Sequence, residues 1–459
     1  MLQCFNPADG SLVLSRSMAT PAQIESTLST AQASKAQWAS KTLEERTLVV
    51  SAFVDQIAGQ SGQLSAELTE QMGRPISHTP YEIKGFSKRA HAMIGLAPQA
   101  LAPVIPSEVA GITRFIRREP VGLVLVLCPW NYPWLCAVNA VVPALLAGNV
   151  VVVKHSDQTP LVAERLSEAF AAVGGPNGVL QHVHMTHEMT AKVVADPRVN
   201  HVSFTGSVAG GAAVHRAAGG LFKGVGLELG GKDPAYVRHD ADVAFAADNL
   251  AEGFLFNAGQ SCCAIERIFV HDAVFDDFVS AMSAAVYRWK MGDPMDIATT
   301  LGPVVRASAA AHIRGHVTEA LNKGARECID HSRFDAPDLE NFVRPSVLTH
   351  VTPDMKIMRE ETFGPVVGVM RVHSDVEAVR LMNDSEYGLT ASVWTKDDAC
   401  AMALGTQLET GTVFQNRCDF LDPELAWVGV KNSGRGASLS VVGFESLTRP
   451  KSFHLRRSN

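Results

Sequence analysis

Apolar residues recur at helical spacing early in the chain. Ile24, Leu28, Ala31 and Trp38 follow Thr20-Pro21, where a threonine cap and a proline at the first helical position open a helix. A second helix is expected over 42–59. Beyond Pro106 the texture changes to short β-branched runs at 121–127, 149–154, 179–185 and 201–204, separated by helical stretches. That alternation predicts a parallel sheet wrapped by helices. The second half repeats it, with candidate strands at 235–237, 268–270, 366–372 and 392–394 and a long helix at 275–291. Two α/β lobes account for both halves. Near the end, Pro450-Lys451-Ser452-Phe453-His454-Leu455 alternates polar and apolar residues and reads as an exposed strand in search of a partner.

Composition narrows the function classes. With 459 residues, 46% of them hydrophobic, the chain can bury a large core in two or three lobes. The 40 Lys and Arg against 47 Asp and Glu are scattered, which argues against nucleic acid as a partner. The longest apolar stretch, 137–153, is interrupted by Asn139, Pro143, Gly148 and Asn149, so no membrane span is expected. The start, Met1-Leu2-Gln3-Cys4-Phe5-Asn6-Pro7, lacks the pattern of a secretory signal, which makes the cytoplasm the expected location. Eight cysteines without a CxxC pair are expected to be reduced thiols. Sixteen histidines without HExxH spacing give no support to a metal centre.

Three clusters carry chemistry. In Gly259-Gln260-Ser261-Cys262-Cys263-Ala264 a cysteine sits in a loop of small and polar residues, where peptide N–H groups can favour a nucleophilic thiolate. On composition alone, a pair of buried, inert cysteines is the commoner reading. In Gly226-Leu227-Glu228-Leu229-Gly230-Gly231-Lys232 a carboxylate stands between two leucines; an apolar setting disfavours its charged form and suits it to general-base work. A surface glutamate at a strand end is the plainer alternative. In Pro129-Trp130-Asn131-Tyr132-Pro133-Trp134 a side-chain amide follows an apolar strand, as an oxyanion donor or as an ordinary turn former.

With these clusters in place the sequence resembles the aldehyde dehydrogenase superfamily over essentially its whole length. The resemblance rests on Pro129-Trp130-Asn131, Lys154-His155-Ser156-Asp157-Gln158-Thr159-Pro160, Phe204-Thr205-Gly206-Ser207 and Leu227-Glu228-Leu229-Gly230-Gly231-Lys232. It continues through Gly259-Gln260-Ser261-Cys262, Glu360-Glu361-Thr362-Phe363-Gly364-Pro365 and Lys431-Asn432-Ser433-Gly434, all in the family's order. It implies that Cys262 attacks an aldehyde, that Asn131 and the Cys262 N–H hold the oxyanion, and that hydride passes to a nicotinamide. Glu228 then activates the water that hydrolyses the thioester. Cys263 is read as packing and an oxidation liability.

No GxGxxG is present, so the dinucleotide site is implied by the resemblance alone. It places Pro129, Trp130 and Leu229 beside the cofactor, Lys154 and Asp157 at the adenosine ribose, Gly206 and Ser207 near the pyrophosphate, and Glu361 and Phe363 at the nicotinamide ribose and ring. Asp157 stands where many relatives carry glutamate. A carboxylate there repels a 2′-phosphate and favours NAD, while its shorter side chain leaves NADP open.

The implied aldehyde tunnel runs beside Tyr132, Trp134, Leu135, Cys136, Asn139, Phe256, Ser261, Cys263 and the segment from Arg417 to Trp427. Its mostly apolar character suits an aliphatic or aromatic aldehyde. Phe256 stands where relatives acting on succinic semialdehyde place an arginine; Arg417 keeps that substrate as the alternative. Asn139 replaces a frequent aromatic residue. Met72-Gly73-Arg74-Pro75 departs from the usual Gly-Lys-Pro and is expected to lie away from the chemistry.

The implied fold is α/β and aldehyde dehydrogenase-like. It has a Rossmann-like cofactor domain (1–100 and 121–229), an α/β catalytic domain (230–432) and a small β oligomerisation arm with the C-terminal segment (101–120 and 433–459). A homodimer or homotetramer follows from the family. The chain is expected to be complete, without the N-terminal extension some relatives carry. Two competing readings are an acylating enzyme that uses coenzyme A, disfavoured by Glu228, and a scaffold of the same fold without turnover, disfavoured by Cys262, Glu228 and Asn131.

Overall fold

The computed structural model describes residues 1–335, 337 and 339–456, so the last three residues of the expected C-terminal segment lie outside the described residues. A short hairpin, Leu2–Phe5 with Leu12–Arg16, leads into helices Pro21–Ser40, Leu43–Gly59, Ser61–Met72 and Thr79–Ala100. The first two helices open on capping boxes: Thr20 pairs with Gln23 and Thr42 with Glu45, each satisfying backbone donors that the first turn leaves free.

The first sheet runs Gly434–Arg435, Gly224–Glu228, Val199–Thr205, Leu123–Cys128, Val150–His155, Leu180–His182 from edge to edge. All neighbours are parallel except the Gly434–Arg435 edge. Leu123–Cys128 and Val150–His155 are buried at every position, because helices cover both faces; this is why they read as unbroken apolar runs. Strand order reverses between Leu123–Cys128 and Val199–Thr205. In open parallel sheets, ligands bind outside the carboxyl ends of the strands at such a switch point.

The second sheet runs Arg326–Glu327, Ser346–Thr349, Val366–Val372, Ile265–His271, Asp233–Val237, Thr390–Trp394, Thr412–Gln415. Two apolar clusters pack on it, one around Ile313, Leu348 and Val366, the other around Phe254, Phe278 and Trp394. The helix expected over 275–291 is shorter, Phe275–Val286. Beyond it, amides turn to a neighbouring loop: Lys290 N donates to Thr300 Oγ1 (2.9 Å), and Leu301 N donates back to Lys290 O (2.9 Å). That local pairing competes with another helical turn.

The terminal strand Thr448–Arg456 finds its partner within the chain. It pairs antiparallel with Ile112–Pro120 over nine positions, and Phe115 stacks on Phe453 at 4.6 Å. Among the described residues, no helix is long and apolar enough to cross a membrane.

Candidate active site

Three chain segments distant in sequence, carrying Glu228, Cys262 and Glu361, meet. Glu228 ends its strand, and Gly230 and Gly231 follow. A Cβ on Gly231 would lie 2.4 Å from the carbonyl oxygen of Cys262, and one on Gly230 would lie 2.3 Å from the Glu361 carboxylate. Both glycines thus permit a backbone approach that a side chain would block.

Cys262 lies in the turn between a 3-10 segment, Phe256–Gly259, and strand Ile265–His271. Asn257, Ala258 and Gly259 have φ of 54°, 53° and 71°, a run of left-handed residues that costs roughly 1–3 kcal/mol per non-glycine position and must be held by its surroundings. The Gln260 side chain does part of this: Nε2 donates to Asn257 O (3.0 Å), and Oε1 accepts from Val305 N (2.8 Å).

Cys262 and Glu228 wall one cavity of about 600 Å³. Glu228 Oε2 accepts from Thr205 Oγ1 (3.2 Å) and Oε1 from Ser438 Oγ. Burial pushes its pKa up; the two hydroxyls and the Arg89 charge oppose that shift without cancelling it. Asn131 is buried beside the cysteine loop rather than on the cavity wall. Its Nδ2 donates to Gln260 O at 3.2 Å, two residues before Cys262, and an amide nitrogen carries a second N–H.

Tyr132, Leu135, Cys136 and Asn139 line the cavity together, as i, i+3, i+4 and i+7 positions entering and following helix Pro133–Leu146. The structure does not bring Trp134 to this wall. It stands off that stripe and packs edge-on against Phe86 in the core, ring centroids 5.7 Å apart. Phe256, Ser261, Cys263, Arg417 and Trp427 also line the cavity. Phe256 stacks on His78 at 4.7 Å, and the Arg417 guanidinium lies 3.3 Å from the Phe420 ring centroid. Cys263 faces the same space as its neighbour: its Sγ donates to Asp419 Oδ1 (3.0 Å), which also accepts from Ser261 Oγ (2.8 Å).

Arg74 overturns the expectation that its motif lies far from this site. Its guanidinium pairs with buried Glu82, donates to Asn131 O, reaches Asn257 Oδ1 at 3.0 Å and lies 4.3 Å from the Tyr132 ring centroid. Glu82 in turn accepts from Trp134 N (2.9 Å) and caps helix Pro133–Leu146. One ion pair therefore joins the asparagine turn to the cysteine loop. Sequence distance concealed it, since positions 74, 82, 131 and 257 show no shared spacing.

The residues expected around a dinucleotide gather at the carboxyl ends of the first sheet. Pro129 and Trp130 follow Leu123–Cys128, and Trp130 meets Phe363 edge-on at 5.7 Å. Lys154 ends Val150–His155 and pairs with Asp157 at 3.2 Å. Gly206 and Ser207 follow Val199–Thr205, where the Ser207 hydroxyl caps helix Val208–Ala218 by accepting from Gly210 N. This helix start offers N–H groups and a positive dipole end to phosphate. Leu229 is buried against Gly211 of the same helix.

Glu361 is partly buried with no salt-bridge partner among the described residues, and accepts only from Gly231 N (3.1 Å). Burial and nearby Glu266 push its pKa up to about 8. Such an acceptor, in want of donors, suits sugar hydroxyls. The segment carrying it is anchored by the buried Lys232–Glu266 pair, with Glu266 accepting from Thr362 N (2.8 Å) and Phe363 N (2.9 Å). The donor set thus fits a dinucleotide. Four residues of the site had no individual reading in the sequence: Arg89, Thr205, Ser438 and Asp419. Thr205 and Asp419 fell inside segments already singled out; nothing in the sequence marked Arg89 or Ser438.

Comparison with known proteins agrees in extent. Residues 1–453 match the aldehyde dehydrogenase family. The chain is 34% identical over 456 residues to an aldehyde dehydrogenase of Paenarthrobacter nicotinovorans, covering 97% of this chain and 98% of the relative. It is 32% identical over 451 residues to a succinate-semialdehyde dehydrogenase [NADP(+)] 1 of Mycobacterium bovis, covering 97% and 98%. Succinic semialdehyde dehydrogenase from Streptococcus pyogenes, solved with NADP+ as the cofactor, superposes with a TM-score of 0.94 at 29% identity and 100% coverage of both chains. With the fold, the clustered residues and this match over nearly its whole length, the chain belongs to the aldehyde dehydrogenase family.

Proposed function

We propose that this protein oxidises an aldehyde to its carboxylic acid with NAD(P), using Cys262 as nucleophile and Glu228 as the base that admits water. The observation that carries the reading is the shared cavity: a sulfur from the turn before one sheet and a partly buried carboxyl ending a strand of the other wall it together, with Asn131 tethered behind the cysteine. Cys262 Sγ adds to the carbonyl carbon, and the oxygen gains negative charge. The second N–H of the Asn131 amide and the Cys262 backbone N–H are the donors available to that oxygen. When bound, the nicotinamide supplies the hydride acceptor; Glu361, Phe363 and Trp130 would hold that half of the cofactor, and Lys154 and Ser207 the other. Oxidation leaves an acyl group on Cys262. Glu228 then takes a proton from water, whose oxygen attacks the acyl carbon and returns the thiolate. Because burial raises the Glu228 pKa, the fraction able to act as base grows with pH.

Glu228 supports release to water over transfer to coenzyme A. The Asp157 carboxylate, half exposed and paired to Lys154, favours NAD, whereas the Mycobacterium and Streptococcus relatives are named for NADP. Tyr132, Leu135, Phe256 and Trp427 favour an aldehyde held by burial of an apolar body. A reducing, cytoplasmic setting suits the eight unpaired cysteines.

The two-stranded pair Ile112–Pro120 and Thr448–Arg456 supports a homo-oligomer. An isolated two-stranded ribbon is marginal in water and gains by pairing with another copy. Sedimentation of the full chain should show a dimer or tetramer; a monomer at micromolar concentration would end that part of the proposal. For the chemistry, Cys262→Ala should abolish NADH formation from every aldehyde while cofactor binding persists. Unchanged turnover would overturn the assignment.

A further inference from the structure

Three guanidinium groups are buried near the catalytic loops and their supports, and in two of them all three nitrogens donate. Arg74 meets Glu82, Asn131 O and Asn257 Oδ1; Arg267 donates to the carbonyls of Lys232, Leu381, Met382 and Asp384. Arg89, on helix Thr79–Ala100, differs. Only its Nη1 is engaged, with Leu135 O at 3.1 Å and Asn139 Oδ1 at 3.3 Å. Among the described residues no carboxylate lies within salt-bridge distance of it, and its Nε and Nη2 have no hydrogen-bond partner. Arg89 lines the cavity that Cys262 and Glu228 share.

A guanidinium carries five N–H donors, so three remain here, all on the Nε/Nη2 edge. That edge matches a carboxylate with two parallel hydrogen bonds. Burying an unpaired charge is costly, and an arginine in this position is best compensated when an anion arrives with the ligand. Asn139 holds the other arm of the fork and thereby aims the free edge. The same lining holds Asp419 and Glu252, which repel an anion when ionised, and the Arg89 charge acts on Asp419 and Glu228; Arg417, the cation expected from the sequence, lies over the Phe420 ring.

We propose that Arg89 anchors a carboxylate at the far end of the aldehyde, through the Nε/Nη2 edge of its guanidinium, making carboxylate-terminated aldehydes the preferred substrates of this cavity. The proposal rests on the reading of the cavity as the site of aldehyde oxidation. It replaces both positions from which a cation was sought, Phe256 and Arg417, with a residue on a different helix.

The test compares kcat/KM for a terminal semialdehyde and for its uncharged methyl ester of equal length, with wild type, Arg89→Met and Arg89→Lys. Wild type should prefer the carboxylate at least about tenfold, and Arg89→Met should collapse that preference by about 100-fold, mainly through KM, as expected when one partner of a desolvated charge pair is removed. Arg89→Lys, keeping charge without the fork, should restore part of it. A wild type indifferent to the carboxylate, or a preference ratio unchanged in Arg89→Met, overturns the anchor. An equal loss on both substrates with a displaced pH profile gives that unchanged ratio, and would assign Arg89 to the Glu228 environment instead. A wild type that forms no NADH from any aldehyde, charged or neutral, contradicts the underlying enzymatic reading, which the ratio alone does not touch.

Discussion

Glu361 shows how one partly buried carboxyl ties stability to pH. Its pKa is pushed up to about 8, against an ordinary value of 4.5, so between those limits the folded protein holds a proton that the unfolded chain has released. The contribution of this one group to stability therefore falls as pH rises through this window, by at most about 1.4 kcal/mol per pH unit. Relative to wild type, Glu361→Gln should make the slope of the thermal midpoint of the cofactor-free protein less negative between pH 5 and 8; an identical slope would refute the linkage. Glu228 and Asp419, also shifted upward, add slopes of the same sign, while His78, His155, His201 and His316, kept uncharged by burial, add slopes of the opposite sign below about pH 6.5, so the comparison with wild type isolates Glu361. The sequence announces Cys262, Glu228 and Glu361 because each lies in a compact motif. It is silent on Ser438 and Arg89, whose hydrogen bonds reach across 210 residues to Glu228 and 50 to Asn139. A lone serine or arginine carries no local sign of such a partner.

Among elements, strands Leu123–Cys128 and Val150–His155 are legible because complete burial leaves continuous apolar runs, and the opening helices because their caps are explicit; Gly224–Glu228, only partly buried and rich in glycine, gives no such run. Helix Phe275–Val286 was overextended, since periodicity does not register amides drawn to a neighbouring loop. The tie between elements is the Arg74–Glu82 pair, which caps helix Pro133–Leu146 and holds the turn bearing Asn131 against the loop bearing Cys262. Both side chains are essentially inaccessible to water. Removing one member of such a pair strands the other, at a cost of about 3–5 kcal/mol. Arg74→Met should therefore lower the thermal midpoint and reduce turnover. A midpoint equal to that of wild type would mean that the two loops are held by other contacts.

On the scale of the whole molecule, the account depends on two parallel sheets meeting so that Glu228 from one and the Cys262 loop from the other share a cavity. Pattern pointed to two sets of strands, which the structure shows as two sheets, but not to the approach of the Glu228 and Cys262 segments, which depends on single atoms such as the Cα hydrogens of Gly230 and Gly231. The most direct test is to stop the reaction after oxidation and weigh the protein. Glu228→Gln, given an aldehyde and cofactor, should release one rapid equivalent of NADH and gain the mass of one acyl group, localised by fragmentation to Cys262 and absent when Cys262→Ala is added. An adduct on Cys263, or an acylated protein that persists without Cys262, would contradict the account.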